Sequence, residues 1–205
     1  VCLSHLQVLP DYPTGIALSC VAPSGENQIV VAPGAKAAMD PGALHLGSAD
    51  ALISQLEIPA DVIARSANDI KGFFCANHPP AKEIDATVLQ RADLVIVNET
   101  EAAWYGDTLE ACGGLVATTF GSRGASLRKG SRVIAEAEPP AVTAVDTVGA
   151  GDAFTAALTV ALVEGQEPSD ALRFACAAGA VAATRAGAQP SLPVRPEVES
   201  FLEKQ

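Results

Sequence analysis

A loop of small residues that opens an amphipathic helix is the most constraining feature of this sequence. The stretch 144–154 reads AVDTVGAGDAF, and Phe154, Leu158 and Leu162 recur every four residues, which predicts a helix from about Asp152. Because the first N–H groups of a helix lack intrahelical partners, such a loop can hold a phosphate or a developing negative charge. A carboxylate at Asp152 would repel a phosphate, but it suits a general base for phosphoryl transfer to a hydroxyl. The alternative is a glycine-rich turn in which Asp152 only caps the helix.

Apolar runs alternate with helical patterns along the chain, which predicts a three-layer α/β/α sandwich around a mainly parallel sheet. The predicted strands are 49–56, 73–76, 94–97 and 115–120, followed by a polar strand at 128–135. Later helices are expected from Pro168, with Ser169 as N-cap and a body over 171–185, and from Pro196 to Leu202. The alternation between Ile16 and Val31 predicts a hairpin turning at 22–25. With no repeat or linker, residues 1–205 are expected to form a single domain.

Polar side chains follow two of the predicted strands. Glu57 follows the first strand, and Asn98 and Glu101 follow the strand 94–97. Open α/β sheets bind ligands at the carboxyl ends of their strands, and Mg²⁺ prefers carboxylate oxygens. The alternatives are a surface glutamate at Glu57 and an acidic first helical turn at Glu101, which complements the helix dipole.

Charge and cysteine usage exclude several classes of protein. The net charge of −11 argues against a nucleic-acid or anionic-membrane partner. The five scattered cysteines form no CxxC pair, so they are interpreted as reduced thiols rather than zinc ligands or disulfides. His78 is interpreted as a loop residue without a catalytic role. With no visible signal peptide or long apolar run, a cytoplasmic protein is expected.

The string DTVGAGDAF closely resembles the signature of the ribokinase-type carbohydrate kinase family. Matching segments include TGIALSCV, GENQIVVAPGA, QLEIP, VNETEA, FGSRGA, ALRFACAAGAVAATRAGAQPSLP and FLEKQ. The resemblance runs from about residue 10 to the C-terminus and covers the last two-thirds of a family member. The first strands, half of a β-lid and a GGKGAN-type sugar-binding segment have no counterpart, so an N-terminally truncated chain is expected. The hairpin 14–31 corresponds to the lid through which the family forms homodimers.

The resemblance implies ATP-dependent phosphorylation of D-ribose at its 5-hydroxyl, giving ribose 5-phosphate. Asp152 would be the general base, the backbone of Gly149, Ala150 and Gly151 would hold the transition-state charge, and Glu57 and Asp152 would contact the sugar. The implied nucleotide-binding residues are Asn98, Thr119, Phe120, Gly121, Ser122, Arg123, Gly124, Gly151, Asp152 and Cys176.

The resemblance also implies two cations. Mg²⁺ would be held with ATP by Glu101 through water. A potassium-type ion would be held by the side chain of Asp146, by Ser191, and by main-chain groups of Val148, Ala182, Arg185 and Gly187.

The resemblance weakens between Trp104 and Leu115, where the family has a full helix and loop. A lost or very short helix is expected there, with poorer cover of the sheet. Two other functions remain open at this point: a non-catalytic nucleotide-binding fragment, and a related kinase acting on another sugar or on a nucleoside. The expected partners are a small-molecule sugar and ATP.

Overall fold

The computed structural model describes residues 2–21, 27–77 and 81–204. The predicted turn at 22–25 and the predicted loop residue His78 lie outside these residues. None of the helices in the described ranges is both long and apolar enough to cross a membrane.

Six strands form the central sheet, and their spatial order is their order in the chain. They are β3 (Ala51–Gln55), β4 (Phe73–Asn77), β5 (Leu94–Asn98), β6 (Leu115–Thr119), β7 (Ala125–Lys129) and β8 (Arg132–Ala137). Strands β3 to β6 pair in parallel, whereas β6, β7 and β8 pair antiparallel. The expectation of a mainly parallel sheet is confirmed.

The prediction of one polar strand over 128–135 is wrong. A tight turn divides this region into β7 and β8, and Lys129 pairs with Arg132 across it. Gly130 makes the turn possible because its φ is +56°, a conformation that other residues adopt at a steric cost. The residues around the turn, 128–132, read RKGSR and are all polar or glycine, which is the composition of a turn.

Helices cover both faces of the sheet, as a three-layer sandwich requires. On one face lie α1 (Ala60–Asp69), α2 (Ala86–Arg91) and α3 (Glu99–Tyr105), and on the other α4 (Ala150–Val163), α5 (Pro168–Ala183) and α6 (Arg195–Leu202). Successive residues of β5 belong to opposite cores. Val95 and Val97 pack with the α1–α3 layer, while Leu94 and Ile96 pack with the α4–α6 layer. A continuously apolar strand is therefore buried on both sides.

The shortened segment between Trp104 and Leu115 still covers the sheet. Helix α3 has seven residues and is followed by a 3₁₀ helix over Gly106–Ala111. Tyr105 and Leu109 from these two elements are buried in the same core as Val95. The helix is very short, as the sequence indicates, but it leaves no gap in this layer.

Two helix boundaries differ from the sequence predictions. Helix α4 begins at Ala150, two residues earlier than expected, directly after Gly149 with its φ of +83°. Helix α5 has Glu167 at the N-cap position and no side-chain cap, so the assignment of Ser169 is wrong. Pro168 occupies the first helical position instead, where it has no N–H group that needs an acceptor. Helix α5 also ends at Ala183 rather than Arg185.

The N-terminal hairpin is present and forms a separate two-stranded sheet. Strand β1 (Ile16–Val21) pairs antiparallel with β2 (Asn27–Ala32). Leu18 lies opposite Val30, and both are more than 60% exposed. The hairpin is confirmed, while its role as a lid and dimer contact stays a prediction.

Candidate functional site

A groove of about 300 Å³ lies where the carboxyl ends of β3–β6 meet the start of α4. Parallel strands end at the same edge of a sheet, so side chains at their ends converge. The groove is lined by Gln55, Glu57, Asn77, Ile96, Val97, Asn98, Glu101, Thr119, Gly151, Asp152 and Thr155. Six residues predicted from the sequence therefore come together here: Glu57, Asn98, Glu101, Thr119, Gly151 and Asp152.

The first turn of α4 presents backbone donors to this groove. No side chain caps the helix, and its first N–H groups have no intrahelical acceptor. The N–H of Ala150 donates to the carbonyl of Thr147 at 3.2 Å, so it is already engaged. Gly151 and Asp152 line the groove, and the role of the Gly149, Ala150 and Gly151 backbone in holding the transition-state charge stays a prediction.

Three carboxylates line the groove, and their partners differ. Glu57 forms an ion pair with Lys36, which lies on a 3₁₀ helix over Gly34–Ala38. Glu101 accepts a hydrogen bond from the backbone N–H of Asn98 at 2.8 Å, and the Asn98 side chain accepts one from the N–H of Glu101. Asp152 is contacted by the amide of Gln55, with 3.3 Å between Nε2 and Oδ1.

These contacts distinguish Asp152 from the other two acids. Within the described ranges, it is the one groove carboxylate with neither a cation nor a backbone N–H as partner. Asp152 is also exposed, whereas Glu101 is buried.

A tight turn after β6 lies beside the groove. The N–H of Phe120 donates to the carbonyl of Gly124 at 2.8 Å, and a 3₁₀ helix over Gly121–Arg123 closes the turn. Gly121, Ser122 and Arg123 are exposed. The Arg123 guanidinium lies 2.5 Å from a carboxylate oxygen of Glu99 and 5.5 Å from the centre of the Phe120 ring. The turn thus presents a cation and backbone groups at the end of the groove marked by Thr119.

The structure does not bring Cys176 to the groove. This residue lies in the core on α5, and its thiol is 3.7 Å from the carbonyl oxygen of Ala137. Burial raises the pKa of the Cys176 thiol to about 11, so it is neutral at physiological pH. The Ala137 carbonyl that its thiol contacts also lies against Gly124 of the turn, and the nucleotide contact of Cys176 stays a prediction.

The segment before α4 meets the turn after α5. The Asp146 carboxylate accepts hydrogen bonds from the N–H groups of Val148 at 3.0 Å and Gly187 at 2.9 Å. These bonds, that from Val148 first, lower the pKa of Asp146 below its ordinary value of 3.8. The fully buried Ser191 donates to the carbonyl of Ala188 at 2.7 Å. A Cβ added at Gly149 would lie 3.2 Å from that carbonyl oxygen and 3.5 Å from the Ser191 hydroxyl.

The residues predicted to hold a monovalent cation thus lie close together in the structure, and many of their polar groups already have hydrogen-bond partners. The carbonyl of Ala182 accepts the N–H of Arg185 at 3.2 Å, and the Arg185 guanidinium pairs with Glu197 at 2.8 Å. Both oxygens of Asp146 accept N–H groups. Carboxylate, hydroxyl and carbonyl oxygens each have a second lone pair, so this donor set fits a hard cation.

The sequence analysis does not single out three polar residues of the groove, Gln55, Asn77 and Thr155, or Lys36, the partner of Glu57. Gln55 and Asn77 are the last residues of β3 and β4, so the rule that singled out Glu57 and Asn98 applies to them equally. Thr155 lies almost one helical turn after Asp152, where the helical period would have indicated it. Lys36 gives no local signal, because its ion pair joins residues 21 positions apart.

Comparison with known proteins gives consistent matches across the chain. The sequence model of the pfkB family carbohydrate kinases matches residues 1–195, so the similarity begins before residue 10. The ribokinase of Haemophilus influenzae is 33% identical over 98% of this chain, and that of Arabidopsis thaliana is 30% identical over 98%. The chain spans 72% and 60% of the lengths of these two relatives.

Two solved structures have the same fold. The Thermotoga maritima ribokinase superposes with a TM-score of 0.83 at 34% identity, covering 94% of this chain and 70% of that one. The Arabidopsis thaliana ribokinase complexed with ribose and ATP gives a TM-score of 0.81 at 29% identity, with the same coverages. Sequence, architecture and the convergence of acids at the groove lead to one assignment: the chain belongs to the pfkB family of carbohydrate kinases, which are sugar phosphotransferases.

Proposed function

We propose that this chain carries the catalytic groove of a kinase that transfers the γ-phosphoryl group of ATP to the 5-hydroxyl of D-ribose. The observation that carries the proposal is the state of Asp152, a groove carboxylate held only by a neutral amide. Such a carboxylate can take the proton of the attacking hydroxyl, whereas Glu57 is already engaged by Lys36 and Glu101 by the N–H of Asn98.

The start of α4 supplies the electrostatic part of the reaction. The N–H groups of Gly151 and Asp152 sit at the positive end of a 14-residue helix and beside the base. Donors fixed in this way stabilise the charge that develops on the transferred phosphoryl group, at no reorganisation cost. Base and donors belong to consecutive residues, so their separation is fixed by the helix itself.

The nucleotide would occupy the end of the groove marked by Asn98, Glu101 and Thr119, with its outer part on the turn 120–124. Glu101 has one carboxylate oxygen on the N–H of Asn98, which leaves the other to hold Mg²⁺ through water. No group of three or more acidic, histidine or cysteine side chains able to hold a metal occurs in the described ranges. This agrees with a Mg²⁺ ion bound chiefly by phosphates and water.

The acceptor would occupy the opposite end, beside Glu57 and Asp152. D-Ribose is supported by the names of the relatives that match most of this chain, and by the Arabidopsis structure that carries ribose and ATP. Glu57 would accept hydrogen bonds from sugar hydroxyls, while Lys36 holds its carboxylate at the rim of the groove.

We further propose that a potassium-type ion orders the loop before α4. Asp146, Ser191 and the main-chain groups of Val148, Ala182, Arg185 and Gly187 would supply its oxygens. An ion at this place would fix Gly149 and so the first turn of α4, which carries the catalytic groups.

The replacement Asp152→Asn tests the main proposal. It removes the proton acceptor and keeps the shape of the side chain, so ribose-dependent ADP release should fall about 10²–10⁴-fold. Mg·ATP affinity, measured by calorimetry, should be retained. A variant with near wild-type turnover would refute the role of Asp152.

A panel of acceptors tests the substrate. D-Ribose, other sugars and nucleosides are compared by kcat/KM in the same coupled assay with the wild-type chain. Preference for another sugar or a nucleoside would move the function to a related kinase. Binding of Mg·ATP with no turnover on any acceptor would show that this chain is a non-catalytic nucleotide-binding protein.

A further inference from the structure

We propose that Gln55 is a positioning residue for the base, because its side-chain amide holds one oxygen of the Asp152 carboxylate and so directs the other toward the acceptor. The two residues are 97 positions apart in sequence, and Nε2 lies 3.3 Å from Oδ1. This inference rests on the proposed function, in which Asp152 accepts a proton.

Both ends of this contact are fixed by the fold. Gln55 is the last residue of β3, where it lies opposite Asn77 of β4 in a continuous parallel ladder. Asp152 is in the first turn of α4, whose Phe154 and Leu158 are buried in the core. Neither backbone can move without disturbing packing, so the amide defines the direction of the carboxylate.

The chemistry of the amide suits this task. A lysine or arginine at position 55 would also orient Asp152, but its charge would stabilise the carboxylate and weaken it as a base. The same groove also contains a carboxylate that is paired with a cation, since Lys36 pairs with Glu57. A neutral donor orients Asp152 without adding a charge beside it. An amide thus suits the position next to the base, while the position next to Glu57 has a cation.

Other charged groups also lie around Asp152 and influence any measurement on its carboxylate. Glu57 and Glu101 line the same groove, and Lys36 faces Glu57 from the 3₁₀ helix. Strands β3 and β4, which pack against α4, contribute the neutral side chains of Gln55 and Asn77 at this edge. A carboxylate introduced at position 55 would thus place a new negative charge directly beside Asp152, the proposed base.

Two replacements of Gln55 test the inference by kinetics. Gln55→Met removes the donor at similar length, and kcat should fall about 10–100-fold with an unchanged KM for ATP, as for an ångström-scale misplacement of a reacting group. Gln55→Glu places two carboxylates together, and such a pair shares a proton, so the acidic limb of the kcat/KM profile should move about one pH unit or more upward.

The control Gln90→Glu makes the same charge change on the exposed last turn of α2. It should change neither kcat nor the pH of the acidic limb of the kcat/KM profile. An unchanged kcat in Gln55→Met, or an acidic limb in Gln55→Glu that coincides with the control, would overturn the inference.

A second measurement does not depend on activity. In ¹⁵N-labelled protein, the side-chain amide cross-peaks of Gln55 should shift in Asp152→Ala, which removes the acceptor, and should stay in place in Glu101→Gln, which alters another groove carboxylate. Gln55→Met identifies these cross-peaks by their loss. Equal spectra in wild type and Asp152→Ala would overturn the contact.

The two measurements separate the inference from the proposed function. If the wild-type chain phosphorylates no acceptor, the proposed function fails, and the role of Gln55 as a positioning residue for a base fails with it, whatever the spectra show. If the wild type is active and the Gln55 variants behave as the control, only the inference on Gln55 fails.

Discussion

Replacing Gly149 by alanine should destabilise the protein through the backbone alone. Gly149 has a φ of +83°, and an added Cβ would lie 3.2 Å from the carbonyl oxygen of Ala188. A non-glycine residue held in this region costs about 1–3 kcal/mol. For a chain of 150–250 residues, each kcal/mol lowers Tm by roughly 2–4 °C, so a decrease of about 2–12 °C is expected.

Gly151→Ala is the matched control, two residues further along the same motif. Its φ is not positive, and an added Cβ would meet nothing within 4 Å. Because alanine is favoured over glycine in a helix, this change should be neutral or stabilising by up to about 1 kcal/mol. Thermal unfolding followed by circular dichroism gives both values. Equal Tm values for the two variants would refute the backbone argument, since the methyl group added is the same.

Two further predictions concern the loop before α4. Potassium should raise Tm or turnover above the value in sodium at equal ionic strength, and Asp146→Ala should abolish the difference; identical responses in both salts would remove the cation from the proposal. Because backbone hydrogen bonds lower the pKa of Asp146, the stability they contribute is complete above pH 3.8 and is lost as the pH falls through the lower folded-state value. The difference in Tm between wild type and Asp146→Asn should therefore be constant near neutral pH and become smaller below pH 3.8. A difference in Tm that persists in acid would contradict this prediction.

Local patterns were sufficient for the parts of the fold that depend on local chemistry. The continuously apolar run of β5 and the helix after the small-residue loop both have a direct physical cause in neighbouring residues; both elements are predicted, although the helix begins two residues earlier than expected. The capping role of Ser169 is predicted wrongly because the helix begins one residue earlier, at Pro168, which places Ser169 inside the first turn. The turn at Gly130 is missed although the polar stretch 128–132 contains a glycine, because the whole stretch is interpreted as one polar strand.

Only part of the candidate site can be predicted from the sequence, for a different reason. Residues such as Glu57 and Asn98 were indicated by their place after a strand, and this signal survives without knowledge of tertiary contacts. The pairing of each acid with its partner has no such signal, even though Gln55 itself ends a strand. Lys36 reaches Glu57, and Gln55 reaches Asp152, only after distant segments have packed. Which acid pairs with a cation and which with a neutral amide is therefore a property of the fold.

The strand order has a consequence for how the protein is made. Each strand from β3 to β8 lies next to its predecessor in the chain, so the sheet can grow one strand at a time during translation. Helices α1–α3 arrive between the parallel strands and cover one face as it forms. The other face, with Leu94, Ile96 and Leu127, stays bare until residues 150–183 have been synthesised. The nascent chain thus exposes an apolar surface until α4 and α5 arrive, and the helix that closes this surface also brings Asp152 to the groove.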